Sequence, residues 1–126
     1  MREESLDGAT SGSERPKHFS PEEVAGLAPQ LVRMLDRARG LAHIPFHITS
    51  GYRPPEHNEA VGGVQDSAHL RGLAVDLACF DSRARMKMVS ALIVAGCRRL
   101  GVYRTHLHAD VDDSLPQDVL WFGEDS

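Results

Sequence analysis

Apolar side chains recur along the chain with two different periods, and the period predicts which segments are helices and which are strands. From Val24 to Ala38 every third or fourth position is apolar, which predicts an amphipathic helix. Residues 20–23, Ser-Pro-Glu-Glu, have the sequence of a capping box with proline at the first helical position. We therefore expect a helix from this box to about Arg39, with Gly40 as its stop.

A second helix is predicted from about Arg83 to Ala95. Asp81 or Ser82 is its expected N-cap, and Gly96 is expected to close it. Its inner stripe, at helical spacing, consists of Met88, Leu92 and Ala95.

Strands are predicted where the period falls to two. Residues 72–80 place Leu73, Val75 and Leu77 on one face and Asp76 on the other. Residues 105–111 alternate in the same way, and shorter β-type runs cover 44–49 and 99–103. These elements predict an α+β fold with a small, mostly antiparallel sheet flanked by two main helices.

The ends of the chain differ from this patterned middle. Residues 1–18 are polar and are predicted to form a disordered tail, so that a single domain covers 19–126. Near the other end, Trp121 and Phe122 are expected to pack back on the sheet. Residues 56–68 form a long glycine-containing loop between candidate site segments, which favours a functional loop.

Composition excludes several classes of protein. The 126 residues are 41% hydrophobic and 25% charged, as in a soluble globular domain, and the net charge of −4 argues against a nucleic-acid partner. No apolar run approaches the roughly 20 residues of a membrane span, and the N-terminus lacks a signal peptide, which predicts synthesis in the cytoplasm. Cys79 and Cys97 are interpreted as buried free thiols.

The candidate chemistry lies in two segments that carry histidine and aspartate. His106, His108 and Asp110 share one face of a predicted strand, and His69 and Asp76 are seven residues apart. A solvated strand face could also carry such residues. Two imidazoles and one carboxylate around one ion leave a fourth position open, which is typical of catalytic zinc. Strand periodicity leaves open which histidine, 106 or 108, binds the ion, because both face the same way.

Three motifs in order give the chain a family resemblance. They are Ser67-x-His69-x-x-Gly72-x-Ala74-x-Asp76, Ser50-Gly-Tyr-Arg53 before it, and His106-x-His108-x-Asp110 after it. The set, which covers roughly residues 46–111, resembles the zinc D-alanyl-D-alanine metallopeptidases. Their superfamily also contains lysostaphin-type peptidases and the hedgehog signalling domain. The compact form is most similar to phage or prophage members that cut bacterial peptidoglycan peptides.

The resemblance implies a hedgehog-like or D-Ala-D-Ala-peptidase-like fold that binds one zinc ion. It makes the zinc ligands His69, Asp76 and His108. The implied partner is a peptidoglycan peptide. We expect the protein to be a monomer that neither inserts into a membrane nor binds nucleic acid. Because no signal peptide is present, the cell wall would be reached by release or another export route.

The catalytic residues follow the family pattern less closely. Many relatives place a general-base glutamate three residues before the last ligand, where this chain has Thr105. His106, aided by Asp110, is therefore the expected general base. Arg53 matches an arginine that holds the substrate carboxylate or stabilises the oxyanion. The expected substrate-binding residues are Arg53, Tyr52 and Ser67.

Two functions from different classes follow. The first is a zinc-dependent peptidase that hydrolyses peptidoglycan stem-peptide bonds involving D-amino acids, as a carboxypeptidase or an endopeptidase. The alternative is a non-catalytic, hedgehog-like zinc-bearing binding module, which the missing glutamate supports. A metal-dependent nuclease is disfavoured by the acidic composition and the lack of a basic patch.

Overall fold

The structure is a computed structural model that describes residues 15–52 and 71–124. This part of the chain forms helices α1 (Pro29–Ala42) and α2 (Ser82–Val94) and strands β1 (Ile48–Ser50), β2 (Ala74–Ala78), β3 (Arg99–Val102), β4 (His106–Asp110) and β5 (Val119–Phe122). The strands make one sheet in the order β1-β2-β4-β3-β5, antiparallel except for the parallel β3–β5 pair. The predicted α+β class and mostly antiparallel sheet are confirmed.

One face of the sheet forms the core with both helices, and the other face carries the polar side chains. Because side chains alternate along a strand, Val75 and Leu77 of β2 point to the helices while Asp76 points away. In β4, likewise, Leu107 is fully buried and His108 faces away from the helices. The core members from the sheet and helices include Leu31, Leu35, Ala38, Val75, Leu77, Met88, Leu92, Leu100, Leu107 and Ala109.

The predicted start of the first helix is wrong, although the predicted capping box forms. The Ser20 amide donates to Glu23 Oε1 at 2.7 Å, and the Glu23 amide donates to Ser20 Oγ at 3.2 Å. The box opens only a turn, over residues 21–26, and α1 begins later at Pro29. Gly26, at a φ of +80°, interrupts the helical path between them.

Tertiary contacts explain why the chain breaks at Gly26. A Cβ atom at this position would lie 2.7 Å from the Tyr52 ring, so only glycine allows the approach. Two residues on, the Ala28 amide donates to the Gly72 carbonyl at 2.8 Å instead of continuing a helix from the box. The entry to α1 is therefore determined by contacts with distant segments, which override the local helical pattern.

The end of α1 also differs from the prediction, whereas α2 agrees with it. The first helix passes Gly40 and ends at Ala42, where His43 adopts a left-handed φ of 59°. The second begins after Asp81, whose side chain accepts a hydrogen bond from the Ala84 amide at 2.8 Å. Gly96, at a φ of +107°, follows its end as predicted.

The outer strands were the least predictable. The run over 44–49 yields only the short β1, and Phe46 packs into the core instead of pairing. The last strand, β5, was not predicted, because it pairs in parallel with β3, from which strand β4 separates it along the chain. Its Trp121 lies against the sheet as expected, whereas Phe122 is 81% exposed, contrary to the prediction.

Other sequence predictions concern the ends of the chain and the thiols. The amides of Lys17 and His18 donate to the Asp36 carboxylate of α1, and residues 1–14 lie outside the described residues. Cys79 and Cys97 are buried and free, and burial raises the pKa of the Cys97 thiol to about 11. None of the described helices is both long and apolar enough to cross a membrane.

Candidate metal centre

The register of the sheet places the candidate ligands side by side on the polar face. Asp76 of β2 pairs directly with His108 of β4, and His108 pairs in turn with Gly101 of β3. Gly101 is paired with Trp121 of the edge strand β5. A single row across four strands thus brings together a carboxylate, an imidazole and an indole from separate parts of the sequence.

Asp76 and His108 have a separation suited to a shared metal ion. The Nδ1 atom of His108 lies 3.3 Å from Oδ1 of Asp76, and both side chains are about four-fifths buried. Two donors that each lie about 2.0–2.1 Å from one tetrahedral zinc ion are about 3.3 Å apart. Within the described ranges no group of three or more His, Cys, Asp or Glu could hold a metal, and the third expected ligand, His69, lies outside them.

The far side of the His108 ring is held by a buried carboxylate. Nε2 of His108 lies 2.7 Å from Oδ2 of Asp110, which is 1% exposed. Oδ1 of Asp110 accepts from Arg99 Nε at 2.8 Å and from the Asp112 amide at 3.1 Å. A carboxylate behind an imidazole fixes its tautomer and orientation, which is the usual arrangement around metal-binding histidines. Here it leaves Nδ1 as the nitrogen that faces Asp76.

The two carboxylates determine the protonation of His108. Burial disfavours the charged ring, but hydrogen bonds and charge interactions with Asp110 and Asp76 outweigh burial and raise the pKa of His108 to about 9. Without metal, this imidazole is therefore protonated at neutral pH. Because a metal ligand must be neutral, metal binding at Nδ1 requires the loss of that proton.

Aromatic rings form a wall beside this pair. The Trp121 and His108 rings are tilted by 47° with centroids 5.5 Å apart, and a Cβ atom at Gly101 would lie 2.6 Å from the indole nitrogen. That nitrogen donates to the Tyr103 hydroxyl at 3.1 Å. Tyr103 in turn stacks on His106, with 4.3 Å between centroids and 8° between planes. The second histidine of β4 is thus held in a fixed plane beside the site.

A second buried carboxylate lies just beyond β4. Asp112 is 1% exposed, forms an ion pair with Arg71, and accepts hydrogen bonds from the amide and the hydroxyl of Ser114. Burial acts to raise its pKa, but these hydrogen bonds and the arginine charge lower it below the ordinary value. Arg71 lies five residues before Asp76, so this ion pair connects the entry to β2 with the exit from β4.

The predicted site residues fall into two groups. Asp76, His106, His108 and Asp110 share the polar face of the sheet, and Tyr52, 43% exposed, packs on the turn before α1. The predictions for Arg53, Ser67 and His69 lie outside the described residues.

Sequence reasoning missed several residues that the structure brings to the site. They are Arg99, Tyr103, Asp112 and Trp121. The alternation of β3 could have placed Arg99 on the polar face. The position of Trp121 depends on the parallel pairing of β5, which has no local signal.

Comparisons with known proteins identify a family and a similar fold. The family model described as Peptidase M15 matches residues 4–112. The crystal structure of the Serratia marcescens L-Ala D-Glu endopeptidase ChiX has a similar fold, with a TM-score of 0.58 and 21% sequence identity. That similarity covers 77% of this chain and 88% of the other. A comparison with curated proteins gave no match.

Proposed function

The chain belongs to the peptidase M15 family, and from this premise we propose that it is a zinc-dependent peptidase that hydrolyses peptidoglycan stem-peptide bonds involving D-amino acids. The main support is the 3.3 Å separation of Asp76 Oδ1 and His108 Nδ1, with the buried Asp110 behind the imidazole. The similar fold of an enzyme described as an L-Ala D-Glu endopeptidase supports the substrate class.

The proposed zinc ligands are His69, Asp76 and His108, which are two imidazoles and one carboxylate. Held by these three residues, zinc would supply an acidified water and would polarise the scissile carbonyl. Of these proposed ligands, Asp76 and His108 come from paired strands, so the sheet itself holds the two side chains next to each other. His69 would complete the set from the segment before β2.

His106 is the proposed general base. It stands two residues from His108 on the same face of β4, and Thr105 occupies the position where many relatives have glutamate. Stacking on Tyr103 fixes the plane of the His106 ring. A base held in this way can accept a proton from a water bound near His108 without first ordering its side chain.

Asp110 has a supporting role in this proposal. Its carboxylate is 1% exposed and contacts His108, Arg99 and the Asp112 amide. It orients the ligand imidazole and balances its charge. Substrate contact is assigned to Arg53, together with Tyr52 and Ser67.

The function is tested by digestion. Purified, zinc-loaded protein is incubated with peptidoglycan stem peptides, and the products are identified by mass spectrometry. We expect cleavage at a bond next to a D-amino acid, and the product masses distinguish carboxypeptidase from endopeptidase action. Asp76→Asn should lose both zinc and cleavage, whereas Asp113→Asn, on the exposed turn after β4, should retain both.

The same experiment separates the alternative function. Full zinc loading without any cleavage would favour the hedgehog-like binding module, which Thr105 in place of the glutamate supports. Arg53→Ala adds a second criterion. If Arg53 stabilises the oxyanion, cleavage should fall by roughly 10²–10³ with zinc still bound, and loss of zinc from this variant would contradict that role.

A further inference from the structure

Behind the metal-facing pair, a chain of polar contacts continues away from the site and ends at Arg99. His108 Nε2 contacts Asp110 Oδ2 at 2.7 Å, and the other oxygen of Asp110 accepts from Arg99 Nε at 2.8 Å. The sheet register explains this second step, since Arg99 of β3 pairs directly with Asp110 of β4. These contacts therefore run across the two neighbouring strands β4 and β3.

The guanidinium group of Arg99 is fixed on three sides. Its Nη1 donates to the Pro116 carbonyl at 2.6 Å, and its Cζ lies 5.2 Å from the centroid of the Trp121 ring. The side chain is 13% exposed. The same indole also contacts His108. Trp121 therefore lies against both the first and the last member of the contact series Arg99–Asp110–His108.

We propose that Arg99 is a positioning residue of the metal centre, which acts on His108 through Asp110 and thereby strengthens zinc binding. This inference rests on the proposed zinc site but requires no catalysis. The planar guanidinium donates in two fixed directions, to Asp110 and to Pro116, and so holds the carboxylate at one angle to the imidazole. Groups that hold a metal-bound histidine in this way typically contribute 10–100-fold to metal affinity.

The sign of the effect separates this role from simple electrostatics. Arg99 is a cation near a proposed cation site, so removal of its charge alone should strengthen zinc binding by Coulomb's law. A positioning role predicts the opposite result. We expect Arg99→Gln to weaken zinc binding roughly tenfold, toward the lower end of the range for groups behind a ligand histidine.

The experiment measures zinc dissociation constants by competition with a chelator, for the full chain and its variants. Arg98→Gln is the matched control, because Arg98 is the adjacent residue, carries the same charge and pairs with the exposed Asp118 at 2.7 Å. Unchanged affinity in Arg98→Gln and weaker affinity in Arg99→Gln would support the inference. Equal or tighter binding in Arg99→Gln would overturn it.

A double-mutant cycle tests the path. In an Asp110→Asn background, Arg99→Gln should have little further effect if Arg99 acts through Asp110. The same tenfold loss in both backgrounds would overturn that path. If Arg99→Gln does not fold, Arg99→Lys keeps the charge and loses the forked geometry, so it should still weaken zinc binding, and unchanged affinity would contradict the inference.

A metal-free readout accompanies the affinities. The ring-nitrogen NMR signals of His108 report its hydrogen bonds, so they should change in Arg99→Gln and stay unchanged in Arg98→Gln. If the unchanged protein binds no zinc, the proposed function and this inference both fail. If it binds zinc and only Arg99→Gln has no effect, the inference alone fails.

Discussion

At the residue scale, the two nitrogens of His108 have separate tasks. Nδ1 faces Asp76 and Nε2 faces Asp110, so the ring can offer only one nitrogen to a metal without losing its support. Asp110 is in turn held by Arg99. The proposed ligand His108 is thus oriented from behind by Asp110 and Arg99, neither of which contacts the substrate in our proposal. Its neighbour His106 is restrained differently, by stacking on Tyr103.

Gly101 determines how closely the wall of the site approaches His108. A Cβ atom there would lie 2.6 Å from the Trp121 indole nitrogen, so Gly101→Ala should displace the ring from the sheet. We expect a loss of about 1–3 kcal/mol in the free energy of unfolding, as for other overpacked sites. Urea unfolding measures this loss. Because Trp121 is the single tryptophan of the chain, its emission should also shift to the red.

A matched glycine provides the control for this substitution. At Gly51 an added Cβ would lie 3.5 Å from the nearest atom, on Leu27, which is an ordinary contact. Gly51→Ala should therefore leave the emission of Trp121 unchanged and alter stability by less than about 0.5 kcal/mol. If both variants shift the emission equally, steric contact at Gly101 is not what holds the indole in place.

At the scale of the elements, strands β2, β3 and β4 and helix α2 could be predicted from the sequence, whereas the start of α1 and the strand β5 could not. Alternation and an N-cap are local signals, and they predicted the face of Asp76 and the start of α2 after Asp81. The start of α1 depends on Gly26, which meets Tyr52 and Gly72 from distant segments. Such contacts leave no periodic trace in the sequence.

In the site too, residues with local sequence signals were predicted, and residues placed by pairing between strands were not. The strand pattern placed Asp76 and the pair His106 and His108 on polar strand faces, and the family resemblance selected His108 as the partner of Asp76. Alternation could have placed Arg99 on the polar face, but its contact with Asp110 depends on the register between β3 and β4. Trp121 was missed because the parallel β3–β5 pair was not foreseen. Sequence patterns thus identified the proposed ligands, while pairing between strands supplied their supports.

The contact between Gly72 and Gly26 at the start of α1 can be tested by comparing alanine substitutions at Gly72 and at Gly40. Gly72 has a φ of +71°, and a Cβ atom there would collide with the Gly26 carbonyl oxygen. Gly72→Ala should lower the free energy of unfolding by about 2–5 kcal/mol, since the left-handed backbone costs about 1–2 kcal/mol and the collision adds to it. Thermal or urea unfolding measures the loss.

Gly40, inside α1, should behave in the opposite way. Its added Cβ would meet only the His18 side chain at 3.4 Å, and alanine is the better helix former by about 0.5–1 kcal/mol. Gly40→Ala should therefore leave stability unchanged or raise it by up to about 1 kcal/mol. A similar loss in both variants would contradict the role assigned to the Gly26–Gly72 contact.

At the scale of the whole molecule, the sheet separates two chemistries. The helix side is an apolar core, and the opposite side carries the site residues that the structure describes on β2 and β4, namely Asp76, His106, His108 and Asp110. Two buried carboxylates, Asp110 at the end of β4 and Asp112 just beyond it, each accept hydrogen bonds and form an ion pair with an arginine. The free energy of unfolding should therefore depend on pH through these two carboxylates, which also support the proposed site.

Asp112 gives that dependence a sign. Its pKa is lowered in the folded chain, so its contribution is fully present above its unfolded pKa of about 3.9 and disappears as the pH falls through the folded value. Asp112→Asn should lower the free energy of unfolding by roughly 1–3 kcal/mol at pH 7. The gap between wild type and variant should narrow as the pH falls below about 4.

Urea unfolding at several pH values measures this gap. Asp113→Asn, an exposed neighbour on the same turn, is the control and should differ from wild type by less than about 0.5 kcal/mol at every pH. A gap for Asp112→Asn that stays constant between pH 7 and 2 would show that its carboxylate charge does not stabilise the fold.

The direct pairing of Asp76 with His108 has a consequence for insertions and deletions. Since side chains alternate with a period of two, one residue added or removed in the Tyr103–Thr105 turn could shift β4 by one position. Leu107 and Ala109 would then face the site, and His108 and Asp110 would face the core. The composition would barely change, yet the site and the core would be lost together. The length of this turn should therefore tolerate less variation than the identity of its residues.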